Sequence, residues 1–252
     1  MLFIVRCFIS IALIILVPLC SWSAKPFRVG VVSGGPHVLI EPGAKFPTGH
    51  APEFFQKFVF PEIAKTFSLE IQWDLSPTSR LLNEIENGRL DMMFLLVKSP
   101  EREKSIIFSA EPFLSEPGGV IVNKDFPIEN GVIAPEQLEA RVMGQMGGTY
   151  VPDFFSKYKI KSHPLSGDDI GNRLMNLVGS KRIDAVFVHL HSVTEYILKE
   201  HDMGHNLKAV PLSKAVPPFQ VYIGFKKSID PALKKQIDEL IQKNIKFYSY
   251  KK

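Results

Sequence analysis

One stretch of this chain occurs twice. Arg80-Leu-Leu-Asn-Glu-Ile-Glu-Asn-Gly-Arg-Leu-Asp-Met-Met-Phe94 aligns without a gap on Arg173-Leu-Met-Asn-Leu-Val-Gly-Ser-Lys-Arg-Ile-Asp-Ala-Val-Phe187. Arg, Leu, Asn, Arg, Asp and Phe coincide, and several other positions keep their apolar character. Each copy opens as an amphipathic helix, with Leu81, Leu82 and Ile85, or Leu174, Leu177 and Val178, on one face. Each then breaks near a glycine, Gly88 or Gly179, and runs into an apolar segment, Met92 to Val97 or Ala185 to Val188, of the length and content of a buried strand. Two such units predict two α/β bodies of similar build within one chain.

The flanking segments fit that plan. Phe27 to Val32 predicts a strand entering a tight loop at Ser33-Gly34-Gly35-Pro36. Pro52 to Phe67 predicts a helix that Pro61 must interrupt or kink, followed by a strand at Glu70 to Trp73. In the second unit Val142 to Met146 leads into Gly147-Gly148-Thr149, then helices around Pro152 to Tyr158, after Ser166 with Asp168 and Asp169 at its start, and over Val193 to Glu200. The last helix starts at Asp230-Pro231 and buries Leu233, Ile237, Leu240 and Ile241. Strands alternating with helices predict an α/β fold with mostly parallel sheets.

The first residues predict export. Arg6 is the only charge before Lys25, and Cys7 to Leu19 is apolar but too short to span a bilayer comfortably. Ser21-Trp22-Ser23 offers small residues for cleavage after Ser23, so 1–23 is expected to be a signal peptide and the remainder periplasmic. Leu19 before Cys20 disfavours a lipoprotein. Cys7 and Cys20 would both leave with that segment, taking with them disulfides, thiol nucleophiles and cysteine-held metals. A formal charge of +4 without a basic run longer than a dipeptide gives nucleic acid little to hold. No nucleophile elbow, Walker loop or His-Glu-x-x-His helix is present. His189 with His191, and His201 with His205, lack a carboxylate that would complete a metal set. The expectation is a protein that is not an enzyme and carries no metal or cofactor.

Arg102 follows an apolar strand, in the kind of loop where α/β folds display functional groups. A guanidinium offers a planar fork to a carboxylate, and such a pair is strong and specific in a cleft. Gly148-Thr149 supplies a turn, a backbone N–H and a hydroxyl.

From Phe27 to Ile241 the chain resembles the family 3 extracellular solute-binding proteins, which capture polar amino acids for ABC importers. The resemblance rests on Leu82 to Asp91, then Ser99-Pro-Glu-Arg102 and Phe108-Ser-Ala-Glu-Pro112, supported by Phe27-Arg-Val-Gly30, Gly148-Thr149, Arg182-Ile-Asp-Ala-Val186 and Tyr222-Ile-Gly-Phe-Lys226. It implies a two-lobed, type II periplasmic-binding-protein clamshell, with mixed, mostly parallel sheets flanked by helices. Lobe one would be 25–113 with 218–252, and lobe two 114–217. Two hinge crossings would lie near Pro112-Phe113-Leu114 and Ala215-Val216-Pro217-Pro218. It implies a monomer that closes on a small molecule and presents itself to an ABC transporter permease. A membrane sensor as partner, or a dehydratase-like enzyme on the same scaffold, is the alternative.

The resemblance also implies a site. Arg102, Ser99, Gly148 and Thr149 would hold the ligand's carboxylate. The chain departs from the pattern around them: Asp91 to Arg102 is one residue shorter, and a ligand-stacking aromatic gives way to Gly35, with Pro36 and His37 after it. The Asp that receives an ammonium group is replaced by His189, and an imidazole cannot serve an ammonium as a carboxylate does. The expected ligand therefore bears a carboxylate but no free amine. If His189 faced a second acid, affinity would rise as pH falls through ~6.5.

Overall fold

The computed structural model describes residues 24–167, 169–202 and 205–248; the expected signal peptide and Asp168 lie outside the described residues. The first unit runs β1 (Lys25–Gly30), α1 (His50–Phe58), α2 (Phe60–Phe67), β2 (Leu69–Asp74), α3 (Thr78–Glu86), β3 (Met92–Val97), α4 (Pro100–Glu103), β4 (Ile106–Phe108) and β5 (Leu114–Glu116). The second runs β6 (Gly119–Asn123), β7 (Val142–Met146), α5 (Asp153–Lys157), β8 (Lys161–Leu165), α6 (Ile170–Gly179), β9 (Ala185–Val188), α7 (His191–Glu200) and β10 (Leu207–Pro211). The chain then returns to the first unit with β11 (Phe219–Lys226) and α8 (Pro231–Asn244).

One sheet has the order β2-β1-β3-β11-β4, with β5 also on β11; the other has the order β10-β6-β9-β7-β8. Only β1 with β2 and β3, and β7 with β8 and β9, pair in parallel. The other ladders are antiparallel, so the sheets are mixed and not mostly parallel. The reason is the double crossing: β6 and β11 follow chain passages between the sheets, and each lies against the run of its parallel neighbours. β5 hydrogen-bonds to β11 and so belongs to the first sheet, although the sequence suggested a boundary before it. Pro61 divides the expected long helix into α1 and α2, which meet at Val59.

The repeated stretch is α3–β3 and α6–β9, and its repeated aspartate does the same work twice. Asp91 Oδ2 accepts from Arg28 N at 2.8 Å, and Asp91 N donates to Arg28 O at 3.0 Å. Asp184 Oδ2 accepts from Val142 N at 2.8 Å, and Asp184 N donates to Val142 O at 2.9 Å. The other carboxylate oxygens meet Lys226 Nζ at 2.6 Å and Arg141 Nη1 at 3.1 Å. Each aspartate thus fastens the helix–strand turn to the neighbouring parallel strand. That strand carries a glycine facing the helix: a Cβ on Gly30 would lie 2.6 Å from Leu90, and one on Gly144 2.6 Å from Leu174.

The turn residue itself differs. Gly88 is left-handed at φ 72°, and its counterpart is Lys181 at φ 56°; Gly179 instead closes α6. A non-glycine residue there bears a steric cost that glycine avoids. Lys181→Gly is therefore expected to stabilise the fold by about 0.5–1 kcal/mol, and Gly88→Ala to cost about 1 kcal/mol. The exposed Lys181–Asp125 ion pair, lost in the first variant, offsets little of this. Urea midpoints at constant m-value measure both changes.

Candidate functional site

A cavity of about 990 Å³ opens where the carboxyl ends of β1, β3, β7 and β9 face one another, the place where open α/β sheets take ligands. From the first sheet's side it is lined by Val31 to Gly35, Leu39 to Ala44, Leu75 to Ser79, Met93 to Val97 and Arg102. From the other come Met146, Gly147, Thr149, Tyr150, the start of α6, Val186 to Leu190 and the α7 face carrying Val193, Tyr196 and Glu200.

Arg102 is placed by α4. Ser99 caps that helix, its hydroxyl accepting from Arg102 N at 3.3 Å, and Pro100 occupies the first turn, where a missing N–H costs nothing. The guanidinium donates to Val97 O at 2.8 Å and, across the cleft, to Gly148 O at 3.1 Å. Burial pushes its pKa below the usual arginine value, and among the described residues it makes no ion pair. Thr149 lines the same cavity and donates its hydroxyl to Met146 O at 2.6 Å. At Gly148, with φ 80°, an added Cβ would lie 3.4 Å from Ser79 N, and Thr78 Oγ1 to Met146 Sδ at 3.4 Å is a second contact between the halves. Arg102, Gly148, Thr149 and His189 are thus brought together. Ser99 acts from behind, through the helix cap.

Pro36 and His37 stand apart from the cavity wall. His37 is fully buried, with Nδ1 2.7 Å from the Tyr248 hydroxyl and Nε2 2.8 Å from the Ser192 hydroxyl. Pro36 gives its carbonyl to His50 N at 3.2 Å. The pair braces the first loop against α7, whose start is also held by Glu116 Oε2 accepting from Ser192 N at 3.1 Å.

His189 lines the cavity, enclosed by the rings of Phe187, Phe219 and Tyr150. Its Nε2 lies 2.8 Å from Tyr150 O, and since a carbonyl only accepts, Nε2 carries the proton. Burial lowers its pKa from 6.5 to about 4, Arg102 adding in the same direction against the Tyr150 bond. The imidazole is therefore neutral near pH 6.5 in the absence of a neighbouring acid. Sequence reasoning also missed Tyr196, Glu41 and Glu200, which line the cavity; the one signal for them was the apolar face of the helix that carries Tyr196.

Two mixed sheets, crossed twice by the chain and holding a ligand-sized cavity between them, define a two-lobed binding-protein fold. The chain belongs to the bacterial extracellular solute-binding proteins, family 3, whose pattern it matches over residues 28–252. A search of curated protein sequences finds no match. Among solved structures, the chain is similar to an amino acid ABC transporter substrate-binding protein from Streptococcus pneumoniae bound to L-arginine, with 17% identity, TM-score 0.69, and 88% of this chain and 90% of that one covered. It is similar to a histidine kinase sensor domain with likeness to periplasmic binding proteins (18%, TM-score 0.67, 89% and 92% covered). It is also similar to an ancestral amino-acid-binding protein described as a precursor of cyclohexadienyl dehydratase (18%, TM-score 0.66, 88% and 90%). At these identities the likeness shows the fold.

Both buried histidines bind protons less readily when folded than when unfolded, His37 also being lowered to about 4, by burial first. As pH falls from 6.5 towards 4 the unfolded chain takes up more protons, so stability declines across that window. His189→Gln is expected to flatten this decline in denaturant titrations, and imidazole resonances of His189 should not titrate between about pH 8 and pH 5.5.

Proposed function

We propose that the mature protein captures a small carboxylate-bearing solute between its lobes in the periplasm and delivers it to an ABC importer. One observation carries this: Arg102 is a half-buried cation lining the shared cavity, hydrogen-bonded to neutral carbonyls from both halves and, among the described residues, in no ion pair. A solute carboxylate can take the guanidinium fork from those carbonyls, with Thr149 beside it. Ser99 and Gly148 support the anchor, the first by capping α4 and the second by its carbonyl.

Neutral His189 offers no anion to an ammonium next to that carboxylate, so an ordinary α-amino acid loses one of its two anchors. In this reading the lobes are 25–113 with 218–252, and 114–217, except that β5 stays with the first sheet. The hinge then lies around Pro117-Gly118 and between β10 and β11. The protein works as a monomer, without cofactor, and is exported by cleavage near Ser23. The likeness to a sensor domain supports a second reading, in which closure reports to a membrane kinase; a permease gene or a kinase gene beside this one distinguishes them.

Arg102→Ala is expected to weaken solute binding by about 2–5 kcal/mol, because a buried anion loses its partner. Arg102→Lys should restore little of it, since one ammonium cannot reproduce the fork. Calorimetry on the mature protein reads both, and unchanged affinity in Arg102→Ala would refute the anchor.

Closure has its own readout. Trp73, the only tryptophan outside the expected signal peptide, packs on Phe60 and Phe94 just before the Leu75 to Ser79 segment of the cavity wall. Solute binding is expected to shift its emission. A bound solute that leaves both the emission and the radius of gyration unchanged counts against closure.

A further inference from the structure

A solute held by its carboxylate needs a second set of contacts in the cavity, and three observations converge on Tyr196. The first is docking. Ser192, one turn earlier on α7, meets His37, and Val193 Cγ2 lies 4.0 Å from where a Gly34 Cβ would be. This face of a second-lobe helix is seated on the first-lobe loop. The second is shape. A Cβ on Gly35 would lie 2.3 Å and 2.4 Å from two carbons of the Tyr196 ring, so the ring occupies the space that any side chain at position 35 would need. The third is charge. Burial raises the pKa of the Tyr196 hydroxyl, and the nearby Glu200 and Glu41 carboxylates raise it further. Glu41 belongs to the first lobe and Glu200 to the second, and both line the cavity.

We propose that Tyr196, flanked by Glu41 and Glu200, receives a positively charged group at the far end of an elongated solute. This rests on the reading of Arg102 as the carboxylate anchor. An aromatic face attracts a cation through its quadrupole, most strongly when the site is desolvated. Glu41, Asp169 and Glu200 line the same cavity as Arg102, so a solute carrying one carboxylate and at least one cation matches it better than a simple acid. The cation must sit away from the carboxylate, because the position next to the anchor is held by neutral His189. A cavity of about 990 Å³ has room for a solute with two separated ends. Tyr196 and Gly35 come from different lobes, so this end of the site is complete only when the lobes are closed.

The test compares a homologous series of ω-trimethylammonio carboxylates with their tert-butyl isosteres, which have the same shape and no positive charge, by calorimetry on the mature protein. The charged member of the best-fitting length is expected to bind roughly tenfold tighter than its isostere or better. That preference should persist in Tyr196→Phe, shrink in Glu200→Gln and in Glu41→Gln, and vanish in Tyr196→Leu, with thermal melts confirming that each variant is folded. Isosteres that bind as tightly as the charged series, or a preference untouched by Tyr196→Leu, would overturn the proposal, as would a series of which no member binds. Equal binding of both series that is lost in Arg102→Ala would remove the cation subsite and leave the carboxylate anchor standing. A preference that survives Arg102→Ala would keep the subsite and remove the anchor.

Discussion

Each half of this protein is organised around an aspartate that accepts the backbone N–H of a neighbouring parallel strand and returns its own N–H to that strand. A carboxylate so placed has no room to drift, because its second oxygen is held by Lys226 in one half and Arg141 in the other. The consequence is positional. Asp91 fixes where β3 begins, hence where it ends, and Arg102 follows one short capped helix later. Asp184 fixes β9, at whose far end stands His189. The two functional side chains meet in one cavity because equivalent turns launch both strands from equivalent places.

This explains why the architecture was legible in the sequence. The repeat contains the aspartate, the helix face and the strand, so two α/β units could be read without any knowledge of their contacts. Arg102, Gly148 and Thr149 were legible for a related reason, since they lie in loops whose place is set by those strands. What escaped was set by contacts between distant segments. Nothing local in Gly34-Gly35-Pro36-His37 shows that His37 will be buried against Ser192 and Tyr248. Nor does anything local show that the space beside Gly35 is filled by the ring of Tyr196, far along the chain. The expectation of mostly parallel sheets failed because helix–strand alternation is silent about the direction of strands that cross from one sheet to the other. Likewise the charge state of His189 depends on three rings from separate elements, and no spacing rule records them.

The polar contacts between the halves are few and dissimilar. Among the described residues, Arg102 reaches a backbone carbonyl, Thr78 a thioether sulfur, His37 a serine hydroxyl and the Glu116 carboxylate a backbone N–H. None of them joins two opposite full charges, so separating the halves strands no buried ion pair. Such an interface suits a protein that must open and close repeatedly, since its groups can exchange protein partners for water at modest cost.

The carbonyls around Arg102 have a further consequence for how a solute would arrive. Val97 O and Gly148 O are neutral acceptors, one from each half. An incoming anion therefore competes with dipoles and not with a resident acid, and no carboxylate is evicted into a dry interior when it succeeds. In the proposed function, loading exchanges neutral oxygen acceptors for a charged one.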